Sequence, residues 1–210
     1  METTKEHLQH QFTDYLLRHG SEPASIYLFA DDNGISEADF YGHFNSFKAI
    51  HQSIWEGLFS SVYSKLEADE TYQAYTVREK LLAFYYTLVQ ELLKHRSYVN
   101  WSMKQVKNPV SLPAGLDMVK KHFVNYAKDL VNKGVETGEI AQRPVITDRY
   151  GDALWLQWVF VVQFWLKDET KDFERTDAAI EKAVNLSMDL MGRNTLDSAF
   201  DFAKFLINSK

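Results

Sequence analysis

The sequence predicts an all-α fold, and three observations support this prediction. Apolar residues recur at helical spacing along most of the 210 residues, no stretch alternates like a β-strand, and only four prolines occur. Two capping boxes, Thr3-x-x-Glu6 and Thr76-x-x-Glu79, predict helix starts near residues 4 and 77. Periodicity and these signals predict nine helices, at residues 4–18, 24–32, 36–42, 46–67, 76–105, 115–137, 147–167, 174–192 and 195–208.

Residues 34–50 have the sequence pattern of a helix-turn-helix. Gly34 supplies a left-handed backbone position that ends one helix, and Ser36 with Asp39 forms a capping box that opens the next. Upstream, Ile26 and Phe29 stand at helical spacing and predict the preceding helix. Two short helices around a tight turn are the form in which a recognition helix is presented to a DNA groove.

At these residues the chain resembles TetR-type repressors. The matching residues are Ala24-Ser25-Ile26, Phe29-Ala30, Gly34-Ile35-Ser36, Phe40-Tyr41-Gly42-His43-Phe44 and Ser46. The resemblance covers about residues 5–50 by motif, and the remainder by the order and length of the helices. Two features depart from it, because Phe47 stands where the family usually has a lysine, and the recognition helix, usually neutral or basic, carries Glu37 and Asp39.

The resemblance implies a DNA-binding-like domain at residues 1–48 and a helical ligand-binding and dimerisation domain at residues 49–210. The candidate DNA contacts are Ser25, Ser36, Glu37, Asp39, Tyr41, His43 and Lys48. Hydroxyl and imidazole groups are typical partners of phosphates and base edges, and carboxylates accept from cytosine N4. Acids in a first helical turn also stabilise the helix dipole, so Glu37 and Asp39 have a purely structural explanation as well.

The helix-turn-helix segment is negatively charged, which disfavours binding to DNA phosphates. Through residue 48 the chain carries eight acids and three bases, so −5 of the total charge of −6 lies where phosphate should bind. Non-specific affinity for DNA comes almost entirely from phosphate neutralisation. The sequence therefore leaves open that this segment has lost DNA binding.

The segment from Tyr150 to Trp165 is too apolar to lie uncovered on a monomer. The following helix offers a second apolar stripe that includes Ile180, Val184 and Leu190. In TetR-like proteins the last two long helices of each protomer form a four-helix dimer interface, and this pair is similar in position and character. We therefore expect a homodimer through residues 147–167 and 174–192, with closure of the monomer core as the alternative.

Aromatic residues on three C-terminal helices predict a pocket for an elongated or flat apolar ligand. Helical bundles bind such ligands in cavities lined by aromatic rings and a few polar groups. Tight core packing is the alternative explanation for each residue. The candidate pocket residues are Tyr85, Tyr86, Trp101, Phe123, Tyr126 and Trp158.

The amino-acid composition excludes several classes of protein. The chain has no cysteine, which excludes disulfides, thiolate zinc sites and cysteine nucleophiles and fits a reducing cytoplasm. The longest apolar run, residues 153–166, is too short and too polar to span a bilayer, and the N-terminus lacks the apolar segment of a secretory signal. We therefore expect a soluble cytoplasmic protein.

No enzymatic motif, cofactor site or metal site is predicted. The sequence shows no Ser/His/Asp set, glycine-rich phosphate loop or paired-carboxylate signature. His7, His10 and Asp14 share one side of the first predicted helix and suggest a metal site, but they are more simply its solvated face. We expect a ligand-responsive, TetR-like transcriptional regulator. The alternative is a protein of this fold that binds an apolar ligand, lipid or isoprenoid and has lost DNA binding.

Overall fold

The computed structural model describes residues 4–105, 112 and 115–192, and in these ranges the chain is helical with no strand. The predicted all-α fold is confirmed. The predicted helix at 195–208, most of the segment 108–113 and Thr3 lie outside the described residues. The helices are α1 (Lys5–His19), α2 (Ile26–Asp32), α3 (Glu37–Tyr41), α4 (Phe47–Ala68), α5 (Val77–Leu93), α6 (Arg96–Lys104), α7 (Leu116–Thr137), α8 (Tyr150–Lys167) and α9 (Glu174–Met191).

Two details of the helix prediction are wrong. The predicted helix at 76–105 is two helices, because the backbone turns at Lys94 and His95 without a glycine or proline to signal the break. The N-cap of α1 is Thr4, whose hydroxyl accepts a hydrogen bond from the backbone N–H of His7 (3.1 Å), so the helix begins one residue after the position that a Thr3 cap requires. The Thr76 capping box is confirmed, with Glu79 accepting from the Thr76 backbone N–H at 2.8 Å.

The described residues fall into two compact units. The first contains the chain up to Ser64 together with Gln90–Lys121, and the second contains Lys65–Val89 together with the chain from His122 onward. The predicted domain boundary after residue 48 remains a prediction. Among the helices that the structure describes, none has the length and apolar character needed to cross a bilayer.

Four phenylalanine rings form the core around the helix-turn-helix in the first unit. Phe47 stacks on Phe12 with ring centroids 5.2 Å apart, and it meets Phe29 and Phe40 edge-on at 5.8 and 5.9 Å. Edge-to-face and offset pairs of this kind add about 0.5–1.5 kcal/mol each beyond area burial. The position where similar proteins usually carry a lysine therefore holds a ring that packs α4 against α1, α2 and α3.

The second unit has an aromatic core of its own. The ring centroid of Phe84 in α5 lies 5.2 Å from that of Phe123 in α7, and Phe123 lies 6.0 Å from Trp155 in α8. Trp155 in turn stacks on Trp158 at 4.8 Å.

Arg143 is buried and fixes the C-terminal end of α9, because its guanidinium donates to the carbonyl oxygens of Leu190 (3.1 Å) and Gly192 (2.8 Å). Carbonyls at a helix end lack partners within the helix, so this arginine satisfies them.

Candidate nucleic-acid interface and dimer face

The helix-turn-helix is built by two caps and one left-handed glycine. The Ser25 hydroxyl accepts from the backbone N–H of Leu28 (3.2 Å) and opens α2. Gly34 has φ +63°, and the Ile35 N–H reaches the Ala30 carbonyl at 3.0 Å, which closes the turn. Ser36 then opens α3. The predicted turn and capping box are confirmed, and they present one side of α3 to solvent.

The Asp39 carboxylate is committed to the capping box. Its Oδ2 accepts from the Ser36 backbone N–H at 3.0 Å and from the Ser36 hydroxyl at 2.6 Å, while the Ser36 hydroxyl oxygen accepts from the Asp39 N–H at 3.1 Å. The hydrogen bonds from Ser36 lower the pKa of Asp39, and the nearby His43 lowers it further. Asp39 is therefore an ionised structural carboxylate, with Ser36 as its partner.

Four other predicted contact residues are at least partly exposed. Glu37 and Lys48 are exposed, His43 is half-buried, and the Tyr41 side chain is 54% exposed. In the described part of the chain the Glu37 carboxylate forms no hydrogen bond or ion pair. Glu37 and Tyr41 lie four residues apart and so share one face of α3.

The surface around these residues is acidic and partly apolar. All of residues 21–48 are described, and every acid among them, Glu22, Asp31, Asp32, Glu37 and Asp39, is exposed, against one exposed lysine, Lys48. Two apolar side chains of α2 are exposed as well, Tyr27 at 62% and Leu28 at 47%. This surface lacks the basic footprint that phosphate binding usually requires.

Five of the six predicted pocket residues lie in the second unit, where most of them pack in the core. Tyr85, Phe123 and Trp158 are fully buried, and the Tyr85 hydroxyl donates to the Leu154 carbonyl at 3.4 Å. The Tyr126 hydroxyl bonds the Tyr72 hydroxyl at 2.7 Å. Tyr86 points toward the surface and donates to Glu181 (3.3 Å); partial burial and the charge of Glu181 raise its pKa to about 12.

The sixth pocket residue, Trp101, belongs to the first unit and lines a cleft of about 390 Å³ beside His51. The two rings stack with centroids 5.5 Å apart, and the Trp101 indole N–H donates to the Gly20 carbonyl at 2.9 Å. His51 itself is buried between the Tyr98 hydroxyl (2.7 Å) and the Glu22 carboxylate (3.0 Å). No local sequence signal predicts this network, because its members come from three distant segments of the chain.

Helices α8 and α9 carry an exposed apolar face. The tryptophans that made this segment conspicuous, Trp155, Trp158 and Trp165, are buried within the unit. The opposite side of the helices lines a groove of about 930 Å³. Its exposed members, here called the α8–α9 face, are Leu156 (69% exposed), Phe160 (47%), Leu186 (61%) and Leu190 (48%).

The polar face of α1 is solvated. His7, His10 and Asp14 are exposed, and Asp14 pairs with Arg18 on the same helix at 2.7 Å. Within the described ranges no group of three or more His, Cys, Asp or Glu side chains is arranged to hold a metal ion.

Comparison with known proteins matches residues 80–206 to the family model for the tetracyclin repressor-like C-terminal domain. Three solved structures share the fold. A candidate TetR family transcription regulator from Shewanella sp. PV-4 has a TM-score of 0.65 at 12% identity, over 91% of this chain and 100% of that one. A protein of unknown function from Rhodococcus sp. RHA1 has a TM-score of 0.62 at 14% identity, over 92% and 97%.

The third, the TetR family transcriptional regulator PfmR from Thermus thermophilus, has a TM-score of 0.53 at 18% identity, over 89% of this chain and 98% of that one. At these identities the structural likeness shows the fold alone. No curated protein matches the sequence at a significant level. The match over residues 80–206 covers more than half of the chain, and it lies outside the helix-turn-helix on which the sequence resemblance rests.

Proposed function

This chain belongs to the TetR family of transcription regulators, and on that premise we propose that it binds operator DNA as a homodimer and responds to an apolar ligand. The observation that carries the proposal is the helix-turn-helix itself. Its turn is closed by Gly34, its second helix is capped by Ser36, and Glu37 and Tyr41 are exposed on α3. A helix presented in this way can lie in a major groove.

Dimerisation is proposed through the α8–α9 face. Two adjacent helices of 18 residues are each about 27 Å long, and four large apolar side chains on them meet solvent in the monomer. Apolar side chains grouped in this way on neighbouring helices are typical of an interaction surface. A second copy that covers it also provides the second recognition helix, which operators with half-sites about 34–36 Å apart require.

The ligand is proposed to bind in the second unit, among the aromatic residues of α5, α7 and α8. Several rings there pack together, and the Tyr72 and Tyr126 hydroxyls supply polar groups beside them. An apolar ligand that binds one conformation of the dimer better than another shifts the population toward it. A ligand of this kind would move the recognition helices off the operator spacing.

A second candidate function is favoured by the charge around α3. Five exposed acids and one lysine between residues 21 and 48 repel phosphate, and the exposed Tyr27 and Leu28 add apolar surface. These features suit a protein of the same fold that binds an apolar ligand, lipid or isoprenoid and does not bind DNA.

A gel shift with duplexes from around its own gene separates the two functions. If the protein is a DNA-binding regulator, a shifted band is expected at about 50 mM salt. Tyr41→Ala should weaken this band, because Tyr41 is exposed on the side of α3 that is proposed to contact DNA. A chain that dimerises and binds apolar ligands but shifts none of the duplexes supports the second function.

A further inference from the structure

The two acids of the recognition helix are not equivalent, although they are two residues apart. The Asp39 carboxylate turns back onto Ser36 and accepts two hydrogen bonds there, at 2.6 and 3.0 Å. Using it to contact DNA would break the cap of α3. The Glu37 carboxylate is exposed and, among the described residues, has no hydrogen-bond or ion-pair partner. Of the two, only Glu37 can meet a ligand at no cost to the fold.

A free carboxylate on this surface has few favourable contacts on DNA. Phosphate oxygens repel it, so it gains only from hydrogen-bond donors on the base edges. In the major groove these donors are the amino groups of cytosine (N4) and adenine (N6). Adenine also presents the acceptor N7 beside its amino group, which opposes a second carboxylate oxygen. Cytosine is therefore the base that a glutamate accepts from most favourably.

The neighbours of Glu37 leave room for such a contact. Ala38 is exposed and adds only a methyl group next to it, and Tyr41 extends from the same face one turn later. The buried Phe40, less than one turn along the helix, anchors α3 in the core. The side chain that would reach a base edge is thus held on a rigid element, as specific recognition requires.

We propose that Glu37 reads the operator by accepting a hydrogen bond from a cytosine N4 amino group, so that the protein selects sites with a cytosine at one fixed position of each half-site. This inference rests on the DNA binding proposed above. It also assigns Glu37 a role, because the hydrogen bond offsets the repulsion from phosphate at a matching site, whereas at any other sequence the repulsion remains.

The test is the selection of binding sites from randomised duplexes by the full chain and two variants. Wild type enriches cytosine at one position of each half-site. Glu37→Gln shifts that enrichment to adenine, because a glutamine amide pairs with adenine N6 and N7. Asp32→Asn removes the same charge from the exposed end of α2 and retains the cytosine. Unchanged thermal unfolding of both variants shows that they are folded.

The selected duplex and its single-position variants then give the size of the effect. Wild type binds the cytosine site about 5- to 150-fold more tightly than a duplex with another base at that position, and Glu37→Gln loses this preference. The inference alone is overturned if Glu37→Gln selects the same bases as wild type, or if Asp32→Asn changes the base as well. Failure of all three proteins to bind any duplex at about 50 mM salt overturns both the inference and the proposed function.

Discussion

His51 and Tyr98, from α4 and α6, are joined by a buried hydrogen bond of 2.7 Å between Nδ1 and the phenolic oxygen. The other ring nitrogen of His51, Nε2, lies 3.0 Å from the Glu22 carboxylate, which only accepts. Nε2 therefore carries the proton of the neutral ring, and the Tyr98 hydroxyl donates to Nδ1. This network ties the loop that leads into the helix-turn-helix to two helices of the first unit.

Tyr98→Phe is expected to destabilise the protein by about 1–3 kcal/mol, because it leaves the buried Nδ1 of His51 without its donor. Urea unfolding followed by circular dichroism measures the change. Tyr27→Phe is the matched control, since Tyr27 is exposed and the same substitution there should stay within about 0.5 kcal/mol. Equal stabilities of the two variants would show that the hydrogen bond contributes little.

The same network predicts a pH dependence. Burial lowers the pKa of His51 below its ordinary value of 6.5, and the Glu22 hydrogen bond and charge offset part of that shift. Below about pH 6.5 the unfolded chain binds a proton that the folded chain takes up only at lower pH. The free energy of unfolding contributed by this residue is therefore complete above about pH 6.5 and falls as the pH falls through the depressed pKa.

Replacing the ring isolates this contribution from the other titrating groups. Between about pH 7.5 and about pH 5.5, wild type should lose more unfolding free energy than His51→Gln, whose side chain does not titrate. An equal loss in both proteins would assign the acid sensitivity to other groups.

Gly115→Ala is expected to destabilise the protein by more than about 1 kcal/mol. Gly115 has φ +93°, and an added Cβ would lie 2.8 Å from the backbone carbonyl atoms of His51. Gly57→Ala, at an exposed position of α4, is the opposite case, because its Cβ would meet nothing within 4 Å. That substitution should stabilise by about 0.5–1 kcal/mol. Chemical unfolding of the two variants measures the change in unfolding free energy for each. A stabilising Gly115→Ala would refute the close approach of the residue 115 backbone to His51.

The double variant Leu156→Glu, Leu186→Glu is expected to be monomeric. Each dimer would bury four unpaired carboxylates in its apolar interface, where a single uncompensated charge costs about 3–5 kcal/mol. Sedimentation velocity at micromolar concentration measures the state of association. Leu17→Glu, on the exposed side of α1, should remain dimeric like wild type. A monomeric wild type at that concentration contradicts the proposed interface.

Local signals predicted the helix-turn-helix well, because its caps and turn are set by residues three or four apart. The break at Lys94 and His95 carries no such signal. There the buried Glu91 carboxylate binds the Ser61 hydroxyl at 2.8 Å and the Lys94 ammonium at 2.8 Å, and the first of these contacts spans 30 residues. Tertiary contacts of that separation cannot be inferred from periodicity.

In the candidate site, too, local features could be predicted from the sequence and long-range contacts could not. The capping box was visible in the sequence, and it commits the Asp39 carboxylate to Ser36. That Glu37 has no hydrogen-bond or ion-pair partner among the described residues is seen only in the structure. The pairing of His51 with Tyr98 was not visible, because 47 residues separate them. For α8, apolarity predicted an interface, but only the packing shows that the tryptophans face inward and Leu156 with Phe160 faces outward.

DNA binding through the helix-turn-helix is tested most directly by the salt dependence of DNA affinity for wild type and for the variant Glu37→Lys, which leaves the Ser36–Asp39 cap intact. Wild type is expected to bind specific DNA with a shallow salt slope. The variant is expected to bind non-specific DNA more tightly, with a slope steeper by about 0.9 for one added phosphate contact. A wild type that binds no DNA at about 50 mM salt, beside a variant that does, would contradict the proposed DNA binding and leave apolar-ligand binding as the function.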